Sequence, residues 1–254
     1  MSGELMITYK RRKFFTIILL ASISFITGIQ KSYSQGQYQI YLPIVYKGRT
    51  HFYAQAVNSG LFYGVWAIIE TANPAIREPL FSYSSINISD NNGRWIETGW
   101  YKSPTDSCIP KFTWAIQPGN ANVISSPTPT VGFSYQYMID KVTDGNWRLQ
   151  ILKTDGTVIY SQNISNPGMN SGTLLQAVGE VDSPTEINDM GVSGILSLKW
   201  RESTPGIWHM WNGWVPGVID YPPYQIVGLP SDPGNNVQVY GNNGNPIPPN
   251  APCP

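Results

Sequence analysis

Two cysteines, two histidines and sixteen basic against sixteen acidic side chains leave this 254-residue chain short of several kinds of chemistry. With His51 and His209 as the only histidines, a multi-histidine metal site is excluded, and no metal is expected. The balanced charge carries no electrostatic footprint for nucleic acid, and no basic patch follows residue 34. The phosphate-binding and dinucleotide-binding glycine motifs are missing, as is the Gly-x-Ser-x-Gly nucleophile elbow; the surroundings of Ser231, Gly-Leu-Pro-Ser-Asp, do not resemble one. Sustained helical periodicity with caps is absent beyond the N-terminus, and no apolar run after residue 29 is long enough to cross a bilayer.

What is present begins with a basic cluster, Lys10-Arg11-Arg12-Lys13, followed by the apolar segment Phe14–Ile23 and the small residues of Ser32-Tyr33-Ser34. This is the layout of a signal peptide covering residues 1–34, cut before Gln35, and it makes the chain a secreted protein with no stable membrane insertion. The competing arrangement is an uncleaved anchor, which requires the apolar run to extend to Ile29 across several Ser, Thr and Gly residues. Residues 35–254 are long enough to bury a core without metal or disulfide. An oxidising compartment permits Cys108 and Cys253 either to pair, tying the C-terminus to the body, or to remain apart.

Residues 35–61 read as an N-terminal extended segment, entry strand or tether. Residues 62–229 then offer short strand candidates separated by turn residues: Phe62–Glu70, Arg94–Tyr101, Lys111–Ile116, Ser134–Val142, Trp147–Lys153, Thr157–Gln162, Leu174–Asp182 and Gly191–Trp200. Many short strands without helices predict an all-β fold, an antiparallel two-sheet β-sandwich of jelly-roll type. Residues 230–254 are rich in Pro, Gly and Asn and read as an irregular surface tail.

Two carboxylates stand inside strand-like runs. Alternation places Glu97 on one face with Trp95 and Gly99, opposite Ile96, Thr98 and Trp100; Glu180 shares a face with Val178 and Asp182. A carboxylate held in a sheet is costly unless it is bonded or paired, and two in one cleft divide their proton affinities into an acid and a base able to activate water. The glycines beside them offer room for the backbone of a substrate. The plain alternative is that each Glu faces solvent. A second aromatic group, Trp208, Trp211, Trp214, Tyr221 and Tyr224, suits either a stacking groove for sugars or proline rings, or packing at one end of the sandwich.

Around these acids the chain resembles the catalytic domain of neprosin-like glutamic peptidases, in a divergent, minimal bacterial form without a large propeptide. The resemblance runs in order through Tyr63-Gly64-Val65-Trp66-Ala67 with Asn73-Pro74, Ile96-Glu97-Thr98-Gly99-Trp100, Cys108, Gly145-Asn146-Trp147-Arg148-Leu149-Gln150, Val178-Gly179-Glu180-Val181 and Asp189-Met190-Gly191-Val192-Ser193-Gly194. It departs at Arg148, where the family has a second tryptophan, and at Val178, where it has a glycine. The resemblance implies a β-sandwich with a cleft across one sheet, Glu97 and Glu180 as catalytic residues, and acid-favoured hydrolysis of a peptide or protein substrate without a cofactor. On this reading Glu97 is nearer the general base, Gln150 binds the developing oxyanion, and Trp100 and Trp147 shape the cleft. The rival, from a different class, is a secreted carbohydrate- or peptide-binding module on the same sandwich, with no catalysis.

Overall fold

Runs of alternating apolar and polar side chains, broken by Gly, Asn and Asp turns, become strands throughout the chain. The computed structural model describes residues 51–76, 80–117, 119, 121–142, 145–165, 167–182, 188–220, 223–241 and 251–253. The expected signal peptide, residues 1–34, and residues 35–50 of the expected entry segment lie outside them. The strands are β1 (His51–Phe62), β2 (Gly64–Glu70), β3 (Phe81–Ser89), β4 (Trp95–Lys102), β5 (Lys111–Gln117), β6 (Ala121–Ile124), β7 (Ser134–Lys141), β8 (Trp147–Lys153), β9 (Val158–Ile164), β10 (Gly172–Asp182), β11 (Ser193–Arg201), β12 (Trp208–Met210), β13 (Val215–Ile219), β14 (Tyr224–Gly228) and β15 (Val237–Gly241). One 3-10 turn, Pro104–Asp106, follows β4, with Ser103 as its N-cap.

They form two antiparallel sheets. One has seven strands in the order β13-β1-β10-β3-β4-β5-β6; the other has eight, β14-β15-β11-β2-β7-β8-β9 with β12 paired to β11. The expected all-β, jelly-roll-like sandwich is the fold of the chain.

The core lies between the inner faces. Ile86, Ile88, Ile96, Leu175, Ala177 and Val181 of the seven-stranded sheet pack in one cluster with Val65, Ala67, Ile69, Tyr137, Ile139, Leu149 and Ile151 of the other. Each fully buried aliphatic side chain contributes about 1.5–3 kcal/mol of transfer free energy. The motif glycines serve this packing. A Cβ on Gly179 would lie 2.6 Å from Met190 Sδ and 2.8 Å from Val239 Cβ, so Gly179 faces the core and lets the sheets close. A Cβ on Gly99 would lie 2.0 Å from the Ser84 carbonyl oxygen, so its bareness accommodates β3. The room expected beside the two acids for a substrate backbone is occupied by the protein itself.

Strands also form outside the eight expected runs: β1, β3, β6, β12, β13, β14 and β15. β1 lies between β10 and β13, so residues 51–61 of the segment read as entry strand or tether belong to the sandwich. β15 lies within the stretch read as an irregular tail; its Val237 and Val239 are fully buried, because Val237-Gln238-Val239-Tyr240 keeps strand alternation amid Pro, Gly and Asn. β3 is rich in serine yet buried along almost its whole length. At the C-terminus Cys253 is bonded to Cys108 across a sequence separation of 145, and its backbone exchanges two hydrogen bonds with Ile76. In the chain-entropy picture a loop of that length stabilises the fold by roughly 4–5 kcal/mol.

Candidate active site

A cleft of about 680 Å³ crosses the outer face of the seven-stranded sheet. Strand alternation builds it: β4 presents Trp95, Glu97 and Tyr101, β10 presents Gln176, Val178 and Glu180, and β3 between them presents Tyr83 and Asn87. His51, Tyr53 and Gln55 of β1 extend the wall at one side, and Thr113, Ala115, Ala121 and Val123 of β5 and β6 extend it at the other. Both sequence-predicted carboxylates therefore line one cavity. The register sets them diagonally across β3: Glu97 is level with Asn87 and Gln176, and Glu180 is level with Tyr83 and Tyr101, an offset of four residues.

Each carboxylate has a neighbour that fixes it. The Ser85 hydroxyl donates to Glu97 Oε1 at 2.5 Å, and His51 Nδ1 lies 2.5 Å from Glu180 Oε1. Burial pushes the Glu97 carboxyl up to about 8; the charge of Glu180 pushes the same way, and the Ser85 hydrogen bond opposes both. At neutral and acidic pH Glu97 is therefore protonated. The Tyr83 hydroxyl is raised well above its ordinary range by burial and then by Glu97. That of Tyr53 is raised by burial and then by Glu180, Glu97 and Asp220. Both are neutral phenols at all working pH values. The Tyr53 backbone N–H donates to Asp220 Oδ2 at 2.7 Å, anchoring β1 beside the cleft. No lysine or arginine lines the cleft among the described residues.

The other expected site residues lie elsewhere. Trp100 points into the core, fully buried, with its indole N–H donating to the Glu70 carbonyl at 2.9 Å. Trp147 is also fully buried, in the other sheet, and donates to the Met169 carbonyl at 2.8 Å. Gln150 lies on the outer face of that second sheet, 3.5 Å from the Ser161 hydroxyl. None of the three lines the cleft; the tryptophan that does is Trp95. The second aromatic group is dispersed as well. Trp211 and Tyr224 are core residues, Trp214 donates to the Pro233 carbonyl, and Trp208 lies over the Arg201 guanidinium. Tyr221 lies outside the described residues. His209 stacks on Trp200 and contacts Glu202. Asn73 and Pro74 accept hydrogen bonds from the buried Lys102 ammonium, a structural use of that motif.

Sequence reasoning missed His51, Tyr53 and Tyr83. Alternation along His51-Phe52-Tyr53-Ala54-Gln55-Ala56 was the available signal, with small or apolar residues at every second position. Among the described residues there is no cluster of three His, Cys, Asp or Glu able to hold a metal, and no helix long and apolar enough to cross a membrane.

The sandwich with its cleft across the seven-stranded sheet is a glutamic-peptidase-like fold. Two solved structures of scytalido-glutamic peptidase, each with a transition-state analogue, superpose with TM-scores of 0.54 and 0.53 at 13% and 12% identity, each spanning 75% of this chain and 98% of that one. SCP-B, of the eqolisin peptidase family, is similar at a TM-score of 0.49 and 13% identity, over 75% of this chain and 98% of its own. No family model and no curated protein matches the chain. The likeness at this identity is one of fold.

Proposed function

We propose that this chain is a secreted, neprosin-like glutamic endopeptidase that hydrolyses peptide bonds with Glu97 and Glu180. One observation carries the reading. The two carboxylates named by the sequence motifs line one cleft, and burial and the neighbouring charge keep Glu97 protonated. An acid and a base in one cavity are what water-activated amide hydrolysis requires.

The roles run opposite to the sequence expectation. Glu180, ionised, is the general base and takes a proton from a water as that water's oxygen attacks the scissile carbon. Glu97, protonated, donates to the carbonyl oxygen, so the negative charge that develops there is neutralised as it forms. Ser85 occupies Glu97 Oε1 and leaves the other oxygen to carry that proton. Collapse of the tetrahedral intermediate returns a proton from its hydroxyl to Glu97. Glu180 passes its proton to the amide nitrogen as the C–N bond breaks, restoring both groups. The neutral Tyr53 and Tyr83 hydroxyls are polar anchors for a peptide lying across the strands, and Trp95, Ala115 and Val123 supply apolar wall.

The sequence expectation of acid-favoured activity is thereby sharpened. Loss of the Glu97 proton stops the reaction as pH rises through about 8, so the alkaline limit of activity lies there. Hydrolysis of a mixed peptide pool between pH 3 and pH 9 tests this. Glu97→Gln and Glu180→Gln are each expected to lose on the order of 10²–10⁴-fold in kcat/KM. Activity surviving both substitutions overturns the mechanism, and binding of oligosaccharide or peptide without cleavage favours the non-catalytic module.

A further inference from the structure

We infer that His51 is a positioning residue of this site, its imidazolium clamping one oxygen of Glu180 so that the other faces the attacking water as an ionised base. The inference rests on the peptidase reading and deepens it.

The geometry begins with register. His51 opens β1, and β1 lies antiparallel beside β10 with His51 level with Asp182 and Tyr53 level with Glu180. His51 and Glu180 are thus diagonal neighbours on the outer face, within reach of each other's side chains. They use that reach: Nδ1 stands 2.5 Å from Oε1, with side-chain exposures of 28% and 14%. The imidazole is itself held, stacked near-parallel to Tyr53 at 6.2 Å and edge-on to Phe81 at 6.0 Å. A ring braced on two sides and bonded at a short distance presents its partner in one orientation, as the outer partners of catalytic carboxylates do.

The charge balance supports the same role. Among the described residues, titratable groups near the pair include Tyr53 on β1, Asp182 on β10, Tyr83 on β3, Glu97 on β4 and Asp220 after β13. All are acids. His51 is the one residue of the described cleft lining able to carry positive charge. Without it, the described cleft lining would offer a carboxylate at Glu180 no group able to carry positive charge. With it, Glu180 gains a charge-assisted bond to one oxygen, and the second oxygen remains for the proton of the water. His51 moves no proton in the cycle; the proton taken from water rests on Glu180 and leaves with the amine.

Two variants and one spectroscopic titration test the inference on the mature chain. His51→Asn keeps a neutral N–H donor in place of Nδ1, and His51→Phe keeps a ring without a donor. His51→Phe is expected to lower kcat by about 10–100-fold with KM within about twofold, and His51→Asn to recover part of that loss. In both, the acid limb of the rate profile moves to higher pH while the alkaline limb, set by Glu97, stays. Wild-type kcat and an unmoved acid limb in both variants overturn the inference. Independently of activity, the imidazole proton resonances of His51, distinguished from His209 by a His209→Gln variant, are followed through pH. Titration of His51 at lower pH in Glu180→Gln than in wild type supports the ion pair, and an unchanged titration overturns it. Should the wild-type chain hydrolyse no peptide, the peptidase reading fails together with the catalytic role of His51, while the titration still decides the pairing.

Discussion

The outer faces of the two sheets solve the same problem in opposite ways. On the eight-stranded sheet the buried carboxylate Asp140 is gripped by two guanidiniums: Arg148 through Nε and Nη2 at 3.2 and 3.0 Å, and Arg201 through Nη1 at 2.9 Å. On the same face Lys199 lies over the Trp66 ring, and Arg201 also lies over that of Trp208. On the seven-stranded sheet Glu97 has a serine for a partner, lies near a second carboxylate, and meets no lysine or arginine in the described cleft lining. One carboxylate is neutralised by partners, the other by keeping its proton. A buried acid left to hold its proton costs stability and supplies a proton donor, which is why chemistry is to be sought on the second face.

Exchanging acid for amide on each face should therefore give opposite signs. Asp140→Asn leaves Arg201, whose side chain is 13% exposed, facing an amide that returns no charge. Breaking a buried pair from one side typically costs about 3–5 kcal/mol, so a loss of that order in urea-unfolding free energy is expected, with kcat/KM for peptide cleavage unchanged. Equal stability of this variant and the wild type would erase the contrast.

Glu97→Gln is expected to do the reverse and stabilise. The folded chain holds the Glu97 proton up to about 8, whereas the unfolded chain releases it near its ordinary value of 4.5. Between those values the folded state binds more protons than the unfolded one, so the stability contributed by this group falls as pH rises through the interval. Glutamine removes that slope. Above pH 8 the variant should be more stable by up to about 4–5 kcal/mol, and at pH 4 it should match the wild type, as measured by unfolding at the two pH values. A gain that is the same at both values would point to packing in place of proton linkage.

Much of this contrast was legible in strand alternation, and some of what was misread was legible too. The β7–β8 and β8–β9 hairpins follow directly from their alternating faces and the Gly145 and Gly156 turns, both at positive φ. Glu97 and Glu180 stood out because an acid in a strand needs a reason. The same alternation already put Trp100 on the face opposite Glu97, and put Trp147 and Gln150 on opposite faces of one strand, so they could not all line one cleft. Here motif proximity overrode geometry. β3 was hidden for a different reason: Ser82, Ser84, Ser85 and Ser89 look like loop residues, but they are small enough to let Gly99 and the core pack closely against that strand. His51 was hidden because its partner lies 129 residues away, and only the pairing of β1 with β10 brings them together.

The smallest expected effect tests whether burial, more than the number of hydrogen bonds, governs the Asp140 cluster. Arg148 makes two hydrogen bonds to Asp140 and Arg201 makes one, which taken alone ranks Arg148 as the stronger partner. Exposure ranks them the other way, at 38% for the Arg148 side chain against 13% for Arg201. Water and salt screen the first pair, and an exposed pair contributes about 0.2–1 kcal/mol. Arg148→Gln should therefore cost about 0.5 kcal/mol, a loss that shrinks in 1 M salt, because Arg201 still holds the carboxylate. Arg201→Gln should cost several times more and respond less to salt. If unfolding measurements give the two variants equal losses, hydrogen-bond number outweighs burial on this face. The comparison with the cleft would then have to be argued from partners alone.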